Sequence, residues 1–312
     1  MTLFRAPEAT PLRRRSLLMA TLALAACSTS PVSPPLTPVP SPVDPAPPGP
    51  KPIPKLPRIG LALGGGAARG FAHIGVIQVF EESGIKVDLV AGTSAGSLVA
   101  ALYASGRNGR DMALLAEAMD EGAITDWAFP TRGLIRGEAL ARFVREKTGG
   151  KLIEQMVIPL GIVATDLSDG APILFRSGDT GTAVRASSAV PTIFQSVKIG
   201  AREYVDGGLV APVPVRFAKQ MGAELIIAVD ISSPPDEKPG SDAIRMLLQT
   251  LSIMGRSINN FELRDADVVL RPKLEGIGSA DFTARRRAIQ AGREVALAML
   301  PQIRQRIEAK TR

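Results

Sequence analysis

The sequence predicts an α/β fold with a largely parallel sheet, and two observations carry that prediction. From Arg58 onward short apolar runs alternate with longer stretches of helical periodicity, the order expected of strands joined by crossover helices. Twice, at 64–70 and at 92–96, a glycine cluster stands where an apolar run gives way to a helical one, as strand-to-helix turns require.

The elements follow in order. Residues 59–63 read as a buried first strand, followed by the glycine cluster and a helix through about Glu82. Residues 87–91 read as the second strand and 97–103 as the helix after it. Helices are expected around 109–120 and 137–147, and strands at 157–164, 172–175, 197–199 and 203–205, the last two on either side of a turn at Gly200. The continuous apolar run 225–229 suits a central strand, and 268–270 a last one. From Phe282 onward Ile289, Val295, Ala296, Met299, Ile303 and Ile307 fall near one helical stripe with the arginines largely elsewhere. Such a helix either covers the sheet or turns a basic face to anionic lipid.

With 312 residues, 45% of them hydrophobic, the chain can build one large domain or two small ones. Its net charge of +7 falls to about +4 without the first 26 residues, which hold four Arg and one Glu. That balance does not point to nucleic acid, and no basic run interleaved with aromatics does either. Residues 1–26 read as a secretory signal peptide: Arg13, Arg14 and Arg15 precede an apolar stretch, 16–26, too short to span a bilayer. The Arg14-Arg15-Ser16 portion also partly matches a twin-arginine export signal. Leu24-Ala25-Ala26-Cys27 resembles the lipobox of bacterial lipoproteins. Cys27 would then carry lipid and hold the protein in the cell envelope, facing the periplasm, with Ser28 favouring an outer membrane where one exists. Residues 27–57, rich in Pro, read as that lipidated cysteine and a tether to a domain at 58–312; a docking segment for a proline-binding domain is the alternative. With the only cysteine so used, no thiol remains for disulfides, zinc or thiol catalysis, and no metal, cofactor or protein partner is expected.

Gly92-Thr93-Ser94-Ala95-Gly96 lies between an expected strand and an expected helix, the setting of a nucleophile elbow. A bare match is expected by chance roughly 0.2 times in a chain of this Gly and Ser content, so alone it is moderate evidence; the strand before it and the helix after it add weight. Ser94 would stand at a helix N-terminus, where developing negative charge is favoured. The cluster Gly64-Gly65-Gly66-Ala67-Ala68-Arg69-Gly70 reads either as a phosphate-binding loop or as an oxyanion hole made by backbone amides. The second strand lacks the terminal acid that a ribose would need, which favours the oxyanion hole, and Arg69 would orient the loop or meet a lipid phosphate.

A nucleophilic serine needs a base. His73, the only histidine, sits at the start of the helix after the glycine loop, where a structural role suits it better than a triad. Asp206, followed by Gly207 and Gly208 at the end of a strand, is the leading base, and burial would raise its pKa; Asp166 is the rival. The loop 126–130, with the only Trp, reads as hinge packing or as a lid that touches lipid.

The glycine loop with Arg69 and Gly70, the Ser94 elbow and Asp206-Gly207-Gly208, in this order and spacing, resemble the patatin-like phospholipases, particularly the small bacterial members. Ala186-Ser187-Ser188-Ala189-Val190-Pro191 and Phe194 resemble the segment ahead of their catalytic Asp. The likeness is best over 58–220. It implies a three-layer α/β/α fold with a central, mostly parallel sheet, a Ser94–Asp206 dyad without histidine, and hydrolysis of the acyl esters of membrane lipids. The amides of Gly65, Gly66 and Ala67 would hold the oxyanion, supported by Gly64, Arg69, Gly70, Gly92, Gly96, Gly207 and Gly208. Ala67 stands where many members have a further Gly. Acyl transfer through the same acyl-enzyme and a non-catalytic envelope lipoprotein are the alternatives.

Overall fold

The computed structural model describes residues 54–120, 126, 135–232, 243–278 and 280–312. The signal peptide, Cys27 and nearly all of the tether lie outside the described residues.

Eight strands form one sheet: β1 (Ile59–Leu63), β2 (Leu89–Thr93), β3 (Leu160–Asp166), β4 (Pro172–Phe175), β5 (Val197–Ile199), β6 (Arg202–Asp206), β7 (Leu225–Val229) and β8 (Val268–Leu270). The helices are α1 (Phe71–Glu82), α2 (Ala95–Ala104), α3 (Gly109–Ala118), α4 (Glu138–Lys147), α5 (Thr180–Ser187), α6 (Val215–Gln220), α7 (Ala243–Glu262) and α8 (Arg285–Lys310). The strand path is β5-β6-β3-β2-β1-β7-β8, with β4 as a further partner of β3. Pairing is parallel from β3 through β2, β1 and β7 to β8, and antiparallel around β4, β5 and β6.

The central strands are apolar on both sides because both faces are covered. Leu61, Leu63, Val90, Ile227 and Val229 pack toward α1, α2 and α8. Their neighbours in the pleat, Ala62, Leu89, Ala91, Ile226 and Ala228, pack with Val213, Val215 and Ala218 beneath α6. This two-residue alternation produces the expected three layers. Among the described residues, no helix is long and apolar enough to cross a membrane.

Five strands match their predicted bounds (59–63, 172–175, 197–199, 225–229 and 268–270). Two differ informatively. β2 begins at Leu89 and runs to Thr93; just before it the Asp88 carboxylate accepts the Ile59 N–H at 2.7 Å, tying its start to that of β1. β3 extends to Asp166, because β6 supplies a partner for Ala164, Thr165 and Asp166. Helices α5, α6 and α7 were not anticipated.

Candidate active site

The parallel ladder sets Thr93 opposite Val163, while the antiparallel one sets Asp206 opposite Ala164. Strand β4 occupies the other edge of β3 over Ile162–Thr165, so β2 and β6 share a single edge and meet end to end. Their final residues deliver Ser94 and Asp206 to one place.

At the end of β2 the chain turns so sharply that Ser94 takes φ 52° and ψ −124°, a conformation a non-glycine residue holds only when its surroundings enforce it, at a cost of about 1–3 kcal/mol. The enforcing contacts are specific. The Ser94 N–H donates to Ser187 Oγ at 2.9 Å, and that hydroxyl, fully buried, donates to the Val163 carbonyl at 2.5 Å. The Ser97 hydroxyl donates to the Ser94 carbonyl at 2.6 Å, and the Thr93 hydroxyl to the Ala211 carbonyl at 2.8 Å. A Cβ on Gly92 would lie 2.5 Å from the Gly96 carbonyl oxygen, and one on Gly96 2.1 Å from that of Leu63. Only glycine fits at either position.

Asp206 is buried, and its backbone is tied at both atoms: its N–H donates to the Ala189 carbonyl at 3.0 Å, and its carbonyl accepts from the Thr165 hydroxyl at 2.8 Å. Gly207 lies against the Val163 carbonyl, where a Cβ would come within 2.2 Å. Burial pushes the Asp206 carboxyl up to about 6, opposed by the Gly208 N–H, 2.6 Å from Oδ1, and by the Ser94 side chain. The rival, Asp166, is held down at about 2 by hydrogen bonds from Ser168 and from Arg202, whose guanidinium lies 2.6 Å away. Asp166 is therefore a fixed anion, and of the two only Asp206 has proton affinity near neutrality and faces Ser94.

The loop after β1 covers the same spot. Gly65 faces Ser94 so closely that a Cβ there would lie 3.1 Å from the Ser94 Cβ. Its amide departs from expectation: Gly65 N–H donates to the Pro212 carbonyl at 2.9 Å, as Gly64 N–H does to Val229 at 3.1 Å. Gly65 thus contributes space rather than a free donor, and the two remaining amides, of Gly66 and Ala67, have no acceptor among the described residues. Ala67 adopts φ 50°, the left-handed region in which a glycine would be unstrained. Arg69 is half-buried on the 3-10 turn Ala67–Gly70, and Gly70 packs on Ala95.

His73, fully buried in α1, is held down to about 4 by that burial. Being neutral, it donates Nε2–H to the Gly64 carbonyl at 2.8 Å. It braces the glycine loop from beneath, in agreement with the structural role its position suggested. Ser187 is the functional position whose role residue patterns left unstated; it stands in the segment 186–191, where a fully buried serine signals a backbone group needing a partner. Of the 126–130 loop, Asp126 is described: its carboxylate accepts the N–H groups of Gly137 and Ala139, capping α4. The rest of that loop lies outside the described residues.

Comparison with known proteins agrees with this geometry. An uncharacterized NTE family protein of Mycobacterium tuberculosis is 37% identical over 190 residues, 60% of this chain and 52% of that protein. Patatin-like phospholipase domain-containing protein 6 of Mus musculus is 35% identical over 185 residues, 56% of this chain and 14% of that protein. The chain thus spans about half or less of the length of these curated relatives. Among solved structures, VipD from Legionella pneumophila shares the fold, with a TM-score of 0.54 over 78% of this chain and 67% of that one, at 14% identity. The family model described as Patatin-like phospholipase matches residues 61–219. That match spans half of the chain and brackets both the Ser94 elbow and the Asp206 turn, and the chain therefore belongs to the patatin-like phospholipase family.

Proposed function

We propose that this protein hydrolyses acyl esters of membrane lipids through a Ser94–Asp206 dyad. The observation that carries the reading is the facing of a strained, helix-capping Ser94 and a buried carboxyl whose pKa stands at about 6. The ionised Asp206 accepts the Ser94 proton as Oγ attacks the ester carbonyl. The amides of Gly66 and Ala67 then receive the oxyanion, assisted by the N-terminus of α2. Asp206 returns the proton to the departing alcohol, then draws one from water as that water attacks the acyl-enzyme, and passes it to Ser94 Oγ as the fatty acid leaves. Cys27, carrying lipid, would hold the enzyme at the envelope membrane on the periplasmic side, which raises the effective concentration of a membrane-borne substrate.

A fluorophosphonate probe and a short-chain aryl ester test the dyad. Wild type should be labelled and turn over the ester, whereas Ser94→Ala should lose labelling and about 10⁴-fold or more in kcat. Asp206→Ala should lose turnover comparably. Labelling that persists in Ser94→Ala would overturn the assignment. Turnover should also rise with pH through about 6 and then level, because only the ionised Asp206 can accept the proton.

A further inference from the structure

Helix α7 has more apolar surface than the described residues cover. Its root is clear: Gly255 packs on Pro212, the Asn259 amide reaches Asp230 at 3.5 Å, and Glu262 is ion-paired with Arg216. All three contacts fall in its C-terminal half; those to Pro212 and Arg216 join it to the segment after Asp206, and the one to Asp230 joins it to the residue that follows β7. At 20 residues the helix is about 30 Å long.

The side facing away from that root carries Met246, Thr250, Ile253, Ser257 and Phe261, spaced as one helical stripe and all exposed. Met246 is 54% exposed, Ile253 53% and Phe261 66%, with Met254 beside them. Among the described residues ten large apolar side chains are exposed, and five belong to α7, so this one helix is where the surface departs from scattered exposure. On its other flank Leu247, Leu251 and Ile258 are half-buried. The apolar arc therefore wraps well over half of the helix, far wider than the single stripe a surface helix needs for its own core.

Charge narrows the occupant. The only carboxylate of α7, Glu262, is buried and neutralised by Arg216. What the helix and its following turn expose is Arg245, Arg256 and Arg264, the last stacked 5.0 Å over the Phe261 ring, and one carboxylate, Asp265, paired with Lys219 at 3.4 Å. An apolar stripe edged by guanidinium groups complements acyl chains beneath anionic headgroups. We propose that the outward stripe of α7 docks on an anionic lipid bilayer, the surface that would supply the ester for Ser94. The proposal rests on the lipid-ester reading above for its purpose, but not for its measurement.

The test uses the full chain with Cys27→Ser and Ser257→Cys, labelled at the single thiol with an environment-sensitive fluorophore. Vesicles of phosphatidylglycerol and phosphatidylcholine should shift the emission to the blue, more strongly than phosphatidylcholine alone. Replacing Met246, Ile253 and Phe261 with Ser should weaken that response at least about tenfold and reduce turnover of vesicular lipid similarly. Turnover of a soluble short-chain aryl ester should stay at the wild-type rate. Ile253→Glu alone, a single exposed change, should weaken binding to anionic vesicles more than to neutral ones. A label that ignores vesicles, or a triple variant that binds them like wild type, would overturn the proposal. So would a wild-type dimer that the triple variant converts to monomer, since the stripe would then be a self-association face. If neither ester is turned over while the label responds, the docking stands and the hydrolytic reading fails.

Discussion

The turn at 64–70 and the turn at 92–96 both carry the chain from a parallel strand into a helix, and each contains one non-glycine residue at positive φ, Ala67 at 50° and Ser94 at 52°. Around 92–96 backbone presses on backbone: Gly96 abuts the Leu63 carbonyl, and the amide and carbonyl of Ser94 are each hydrogen-bonded. Around 64–70 the inner half is tied to Val229, Pro212 and His73, whereas the outer half, Gly66 and Ala67, leaves its amides open. The difference assigns the two turns their tasks. One holds a strained hydroxyl still; the other leaves two donors open, which the proposed mechanism uses for the oxyanion.

The sharpest way to break the comparison is a methyl group where backbone meets backbone. Gly96→Ala places a carbon 2.1 Å from the Leu63 carbonyl oxygen, and neither element can retreat without opening the sheet. Loss of more than about 4 kcal/mol is expected, seen as insoluble protein or an early thermal transition. A soluble Gly96→Ala variant with a wild-type melt would show that the elbow is loosely packed.

Asp206→Asn comes next and separates stability from chemistry. A carboxyl at about 6 in the folded chain, against 3.8 ordinarily, binds its proton more tightly when folded. Its favourable contribution is complete below 3.8 and is lost as pH rises through 6, so at pH 8 the ionised group costs about 3 kcal/mol. Asparagine still accepts from Gly208 and carries no charge. The variant should therefore be inactive, melt several degrees above wild type at pH 8, and lose that advantage by pH 4. Equal melting at pH 8 would mean that Asp206 is solvated.

Gly65→Ala probes the open turn. Its Cβ would meet the Ser94 Cβ at 3.1 Å, a contact the fold can absorb but a substrate carbonyl cannot. Melting should shift by only a few degrees, while kcat falls about 100-fold, the scale on which oxyanion contacts matter. A parallel loss of stability and activity would erase the distinction between the two turns.

Much of this was legible in the sequence because both turns are made of residues whose backbone demands are local. Glycines beside Ser94, and Asp206 followed by two glycines, carry their own geometry. What depended on distant partners was not legible. The amide of Gly65 reads as a free donor until Pro212, far along the chain, is found accepting from it. The meeting of β2 and β6 along one edge of β3 requires β4 to occupy the other edge, which no local pattern states. Helix α5 is rich in Thr, Gly and Ser and is defined by its Asp179 cap, and α6 is only six residues long. Helix α7 is the exception: Met246, Ile253 and Phe261 repeat at helical spacing on one face, so its period was legible in the sequence.

The smallest effect is expected at Ala67, where two terms nearly cancel. Holding alanine at φ 50° costs roughly 1 kcal/mol relative to glycine, so Ala67→Gly removes strain from the folded chain. The same change frees the unfolded chain, which costs about 0.4–1 kcal/mol. Net stability should move by less than about 0.5 kcal/mol in a denaturant titration. Turnover is the more informative reading, because the Ala67 amide is one of the two open donors. If strain is what aims that donor, the relaxed glycine loop should lower kcat by a few fold while leaving KM unchanged. If the loop is aimed instead by its tied inner half, through Pro212 and His73, kcat should hold at the wild-type value, and the strain at Ala67 is incidental to the chemistry.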